Sequence, residues 1–209
     1  TLSADQKNAK AQFHLGMIYY EGKYVTRNID KAISYYVLSA KQNYPEALYN
    51  LGTIYYEGEF VDQDITKSIR YLTFASIHNF PKAQYNLGNI YYEGKYVTRD
   101  TAQAIHYLSS AADQNYVEAQ FNLAIIYYNG KYIARDINKA IYYFKVAANN
   151  NYVKAQYNLG VIYSDGEYIP PDLDQSIHYY TLAADLNYVE AQFNLAILLY
   201  EEEYKHQDI

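Results

Sequence analysis

The sequence predicts an all-α fold, an α-solenoid of stacked antiparallel helix pairs with a 36-residue period. The first observation behind this is repetition. The segment Ala11-Gln-Phe-His-Leu-Gly-Met-Ile-Tyr-Tyr-Glu-Gly22 returns in variant form at Ala47, Ala83, Ala119, Ala155 and Ala191, always at the same interval. Self-similarity with a period between about 20 and 50 residues is the signature of a stacked array. The second observation is helical spacing of apolar residues inside each copy. The third is punctuation, with glycine and asparagine recurring at fixed places between the apolar stripes. One continuous array over residues 1–209 is expected, with repeats starting at 11, 47, 83, 119 and 155 and a partial repeat from 191.

The second copy serves to justify each element in order. Ala47, Leu51, Ile54 and Tyr55 fall at i, i+4, i+7 and i+8, a helix with one apolar stripe. Gly58 ends it, because glycine accepts the left-handed conformation at a helix C-terminus. A short connection from Glu59 to Asp64 follows, and its Phe60-Val61 pair is expected to tuck back under the helices. Asp64 caps a second helix, whose stripe is Ile65, Ile69, Leu72 and Ala75-Ser76. Asn79 tolerates the left-handed turn that closes it, and Pro81 suits the first turn of the next helix. Helices this short are marginal alone in water, so stability must come from stacking on neighbours.

Two column patterns stand out. Gly16, Gly52, Gly88 and Gly160 share a mid-helix column with Ala124 and Ala196. Glycine there costs about 0.5–1 kcal/mol relative to alanine, so the column implies close approach of a second helix, and a leucine at Gly88 is expected to be costly. The tyrosines at 35, 71, 107, 143 and 179, and those at 19, 55, 91, 127 and 163, form two further columns. They read as packing residues between repeats, with a tyrosine-lined ligand platform as the alternative.

Composition excludes several function classes. Cysteine is absent, which rules out disulfides, thiolate metal sites and a thiol nucleophile. The net charge is −6 with acidic and basic residues interspersed, unlike the basic stripe of a nucleic-acid binder. No apolar run approaches the roughly 20 residues of a membrane span, so no membrane insertion is expected. No N-terminal segment resembles a signal peptide. No asparagine begins an acceptor sequon, which points away from a glycosylated, lumenal setting. The compartment otherwise stays open, with the cytoplasm favoured.

The pattern resembles the Sel-1-like repeat, a relative of the tetratricopeptide repeat. The third copy carries the resemblance in Ala83-Gln-Tyr-Asn-Leu-Gly-Asn-Ile-Tyr-Tyr-Glu-Gly94, then Lys95-Tyr-Val-Thr-Arg-Asp100, then Thr101-Ala-Gln-Ala-Ile-His-Tyr-Leu-Ser-Ser-Ala-Ala112. The family's tryptophan is tyrosine here, and its glycine after the second helix is Asn43, Asn79, Asn115, Asn151 and Asn187. Aromatic bulk and left-handed tolerance are both kept. The resemblance implies helix pairs winding into a right-handed superhelix, and roles as an adaptor or scaffold for protein partners. Both ends break mid-repeat, with residues 1–10 aligning with the end of a second helix, so the chain is expected to be part of a longer array. Glu202 replaces the loop glycine, so the last helix is expected to run on.

A helical wheel places columns 14, 17 and 21 of the first copy opposite the buried stripe. In related helix-pair arrays the first helix lines the concave face, so these columns are the candidate groove. One column reads His14, Asn50, Asn86, Asn122, Asn158 and Asn194. An asparagine ladder can pair with both N–H and C=O of an extended peptide; alternatively it bonds a loop or adjacent helix. The next reads Met17, Thr53, Asn89, Ile125, Val161 and Ile197, and the third Glu21, Glu57, Glu93, Asn129, Asp165 and Glu201. A mildly acidic groove with a greasier C-terminal half suits a peptide with apolar anchors and some basic residues. Aspartate at Ile125, Val161 and Ile197 is expected to abolish binding without unfolding the array. A structural or self-assembling element of a larger complex is the alternative function.

Chemistry finds little support. His106 and His178 share a column with Ser34, Arg70 and Tyr142, which is a solvated face. His206 and Asp208 are too few for a metal site. Asp62-x-Asp64 and Asp172-x-Asp174 lack the glycine and glutamate of a calcium loop, and helix capping explains Asp64 and Asp172. No nucleophile motif or phosphate-cradling loop occurs. No catalysis, cofactor or metal is expected.

Overall fold

The structure is a computed structural model and describes residues 8–205, with side chains through Glu201. These residues form eleven helices and no strand. In chain order they are α1 (Ala9–Glu21), α2 (Ile29–Ala40), α3 (Pro45–Glu57), α4 (Ile65–Ile77), α5 (Pro81–Glu93), α6 (Thr101–Ala112), α7 (Val117–Asn129), α8 (Ile137–Asn149), α9 (Val153–Asp165), α10 (Leu173–Asp185) and α11 (Val189–Lys205). They fall into two compact units that divide between Tyr116 and Val117. In the first, each of α1 to α6 packs on the next in sequence; in the second, α7 to α11 do the same. The fold is an all-α repeat of paired helices, as the periodicity predicts. The reading of residues 1–10 falls largely outside the described residues, as do His206 and Asp208. Helix α11 does run on, to Lys205.

The helix ends follow from their residue types. Asn28, Asp64, Asp100, Asp136 and Asp172 each accept a backbone N–H three residues on, at 2.8–3.0 Å, at the start of a second helix. Each of these caps also donates its own N–H to the first helix of its pair, as Asp64 does to the Tyr55 carbonyl at 3.0 Å. The connection is thereby closed at both ends. Gly58 at φ 66° and Asn79 at φ 55° occupy the left-handed turns. After α4, Phe80 N–H donates to the Ala75 carbonyl and Asn79 N–H to that of Ser76, the paired bonds of a Schellman turn.

The core runs down each helix pair. Leu51, Leu72, Leu87 and Leu108 are fully buried in the first unit, and Leu123, Phe144 and Leu159 in the second. The glycine column sits where the second helix lays its largest side chain across the first. A Cβ at Gly88 would lie 2.6 Å from Leu108 Cγ, one at Gly52 2.7 Å from Leu72 Cγ, and one at Gly16 2.5 Å from the Tyr36 ring. Glycine loses about 0.5–1 kcal/mol in helix propensity, while burying a leucine-sized side chain contributes about 1.5–3 kcal/mol. Burial wins, which is why the column stays small.

The tyrosine columns pack differently from the expectation. Tyr19 stacks on Tyr35, Tyr55 on Tyr71, Tyr91 on Tyr107, Tyr127 on Tyr143 and Tyr163 on Tyr179, with rings within 9° of parallel. Each pair joins the two helices of one repeat, and Tyr163 also meets Lys145 of the preceding repeat. The loop aromatics also make contact between repeats. Phe60 meets Tyr20 edge-on, Tyr96 meets Tyr56 and Tyr168 meets Tyr128.

A buried polar column adds to this. Gln12, Gln84, Gln120 and Gln156 are buried on the first helices. Gln84 Nε2 donates to the Ser76 carbonyl of the preceding repeat at 3.3 Å, and Gln156 Nε2 to that of Ala148 at 3.3 Å. Their Oε1 atoms accept from the end of the second helix of their own repeat: Gln42 donates to Gln12 at 2.8 Å, Gln114 to Gln84 at 2.7 Å and Asn150 to Gln120 at 3.4 Å. The donor position after Gln156 is Leu186, exposed, and Gln156 Oε1 is buried with no partner. Leu186→Gln is therefore expected to raise stability by about 1 kcal/mol in urea denaturation, the worth of one recovered hydrogen bond. No gain would show that the amide ladder contributes nothing.

Candidate partner-binding face

The capping and packing above fix the rotation of each first helix, and with it the columns that face outward. In the first unit the structure brings several predicted residues around one cavity of about 330 Å³. Tyr49, Thr53, Tyr56 and Glu57 of α3 line one side, and Asn86, Asn89, Ile90 and Glu93 of α5 the other. A smaller cavity of about 100 Å³ adjoins Asn50 and Thr53, between Tyr20, Tyr36, Tyr49 and Ile54. Glu57 and Glu93 are exposed at the helix ends. Burial raises the Tyr20 phenol first, and the Glu57 carboxylate raises it further; burial and then Glu93 do the same to Tyr56. Each carboxylate thus acts on a tyrosine of the preceding repeat, with Arg27 opposing at Tyr20 and Lys95 at Tyr56. Loop arginines are held at the ends of the same helices. Arg27 Nε donates to the Tyr20 carbonyl at 2.9 Å and its guanidinium lies 4.3 Å over Phe60, while Arg99 Nε and Nη2 donate to the Tyr92 and Glu93 carbonyls.

The asparagine column does structural duty at several positions. Asn50 hydrogen-bonds the Tyr36 hydroxyl of the preceding repeat, and Asn194 Nδ2 donates to the Tyr180 hydroxyl at 3.2 Å. Asn158 Nδ2 donates to the Lys154 carbonyl of its own helix at 2.7 Å. The alternative to a peptide ladder therefore has direct support at Asn50, Asn158 and Asn194. Asn86 lines the cavity, and Asn122 is half-buried on α7.

In the second unit, Ile125 and Val161 are half-buried and pack against the core, whereas Ile197 is exposed. This corrects the expectation for aspartate at all three. At Ile125 and Val161 the charge would enter packed apolar surroundings, so loss of binding would not be separable from loss of fold. Packing against the core, which a single-helix wheel does not register, partly buries these two side chains.

Among the described residues no three His, Asp or Glu side chains converge as a metal ion requires. No described helix is long and apolar enough to cross a membrane.

The Sel1 repeat family model matches at residues 9–44, 45–79, 81–116, 117–152, 153–188 and 189–204. The chain belongs to the Sel1 repeat family. It is similar to a protective antigen present in uropathogenic Escherichia coli strains that displays an SLR fold, with 30% identity and a TM-score of 0.90. That match covers 96% of this chain and 43% of the antigen, so the chain spans less than half the antigen's length. It is also similar to a Sel1 repeat protein from Oxalobacter formigenes, at 30% identity and TM-score 0.77, covering 88% of this chain and 76% of that one. No curated protein matches the chain. Sel1 repeat proteins generally mediate protein–protein interaction, and the scaffold is typically non-catalytic.

The Asn50–Tyr36 contact has a consequence at high pH. Burial pushes the Tyr36 phenol up from its ordinary 10.0 to about 12, with the Asn50 hydrogen bond pulling slightly back. A phenol with a higher pKa folded than unfolded stabilises the fold fully below pH 10.0 and loses that contribution as pH rises through about 12. Urea unfolding followed from neutral to strongly alkaline pH is expected to show a fall across that window, shallower in Tyr36→Phe. An identical fall in the variant would show that Tyr36 ionises no differently in the fold.

Proposed function

We propose that this Sel1 repeat chain is a protein-binding scaffold whose first-helix face captures a peptide segment bearing apolar anchors and basic residues. The observation that carries the reading is the cavity between α3 and α5. Two tyrosine rings and Ile90 supply apolar and aromatic surface, Thr53, Asn86 and Asn89 supply polar contacts, and Glu57 and Glu93 flank it with negative charge. A lysine or arginine of a partner gains from the carboxylates and from the tyrosine faces together. An aliphatic neighbour fills the space beside Ile90. The columns of Asn122, Ile125, Asn158, Val161, Asn194 and Ile197 repeat the same positions in the second unit, with Ile197 its most accessible apolar member.

The alternative is a structural or self-assembling component of a larger complex. Sedimentation of the dilute protein separates the two readings: a monomer that captures peptide supports the scaffold, and end-to-end oligomers without peptide capture support assembly.

The scaffold reading is tested by selecting binders from a random peptide library on the folded protein. Selected peptides are expected to be enriched in basic residues beside aliphatic ones. The double variant Glu57→Lys and Glu93→Lys, both at exposed positions, is expected to weaken them at least about tenfold with unchanged circular dichroism. Selected peptides without basic residues, or affinity unchanged in the double variant, would exclude this face.

A further inference from the structure

A second surface, on the second helices, differs from its counterparts elsewhere in the chain. Between α2 and α4 lies a cleft of about 340 Å³ whose apolar part includes Val37, Leu48 and Phe74, with Lys41, Lys67 and Arg70 as its charged members. Among the described residues, none that lines it carries a carboxylate. Phe74 is 42% exposed, so part of the apolar surface is open to solvent.

The repeat pattern shows how local this is. Leu48 stands where the other five copies carry glutamine. Elsewhere that glutamine reaches the end of the preceding second helix, as Gln84 reaches the Ser76 carbonyl. The matching carbonyl for Leu48 belongs to Ala40, which lines the cleft. An aliphatic side chain therefore floors this site where an amide bridge occupies the others. The cationic positions are as local. Lys41 is matched by Ile77, Asp113, Asn149 and Asp185, and Arg70 by Ser34, His106, Tyr142 and His178, while the Phe74 column stays apolar at Leu38, Val146 and Leu182 and is polar only at Ser110. Lys67 is partly neutralised by Asp64 at 3.6 Å. Lys41 and Arg70 then dominate the local field, with the Arg70 guanidinium 5.9 Å from the Phe74 ring centre.

We infer that the α2–α4 face binds an acidic segment of a protein partner that inserts one bulky apolar side chain over Leu48 and Phe74. Charge complementarity selects the occupant. The chain as a whole carries net charge −6, so a cationic rim around exposed apolar surface repels basic segments and attracts acidic ones against the general trend. An apolar floor beside several separated cations suits an acidic segment that presents an apolar side chain among its carboxylates. This surface is separate from the first-helix face and does not depend on it.

The test is fluorescence anisotropy at low salt with a labelled peptide carrying a Leu-Phe pair flanked by glutamates and aspartates. Saturable binding by the wild-type chain is expected, weakened at least about tenfold by Arg70→Glu and by Leu48→Gln. The second variant installs the residue the other copies already carry, so its fold is kept, as circular dichroism and the urea midpoint will verify. A basic peptide selected on the first-helix face is expected not to displace the labelled peptide, which separates the two surfaces. The inference is overturned if the wild type shows no saturable binding, if both variants bind normally, or if a lysine-flanked peptide binds as well. It is equally overturned if dodecanoate binds with this variant dependence and the peptide does not.

Discussion

The structure depends on one steric fit, in which the middle of each first helix is bare enough for the second helix to lay its largest side chain flat against the backbone. Gly52 receives Leu72, Gly88 receives Leu108, and Gly16 and Gly160 receive Tyr36 and Tyr180. At the fourth position Ala124 and Phe144, both fully buried, occupy the matching columns. The fit sets how closely the pair approaches, and close approach sets the rotation of the first helix. That rotation turns Thr53, Glu57, Asn86 and Glu93 toward one cavity. The candidate face is thus a by-product of the packing on the opposite side of the same helix.

The tyrosine variants of this fit extend it to the next repeat. Where the crossing residue is Tyr36 or Tyr180, its hydroxyl reaches past the glycine to Asn50 or Asn194 of the following first helix. Where it is leucine or phenylalanine, no hydroxyl is available. The glutamine column couples repeats through amides at the opposite edge of the helix. Local departures from both columns mark the places where this chain differs from a uniform array. Leu186 leaves Gln156 Oε1 unpaired, and Leu48 turns a polar junction into an apolar cleft.

Most of the fold was legible because its signals are local. Gly58, Asp64 and Asn79 act through their own backbone conformations, and a period held without insertion aligns every copy. Exposure in the groove columns was legible to the extent that one helix decides it, as at Glu57 and Glu93. It was not legible at Ile125 and Val161, whose burial depends on packing against the core. The stacking of tyrosines within a repeat was not readable either, because spacing gives a column but not the element opposite it. The buried glutamines were missed for a different reason. Periodicity counts glutamine as polar and assigns it to solvent, yet its amide can be buried when both ends are paired. Its recurrence in five of six copies was the available signal.

A double-mutant cycle between Gly88 and Leu108 measures the central fit directly. Gly88→Ala introduces a Cβ 2.6 Å from Leu108 Cγ and 3.2 Å from the Ala104 carbonyl, while Leu108→Ala opens a cavity of the kind that costs about 2–5 kcal/mol. With both changes the new methyl group occupies part of the vacated space. The double variant is therefore expected to be more stable than the summed single effects by about 1 kcal/mol or more. Strictly additive effects would mean that the two residues do not interlock, and the account of how the helix pair is held would be contradicted.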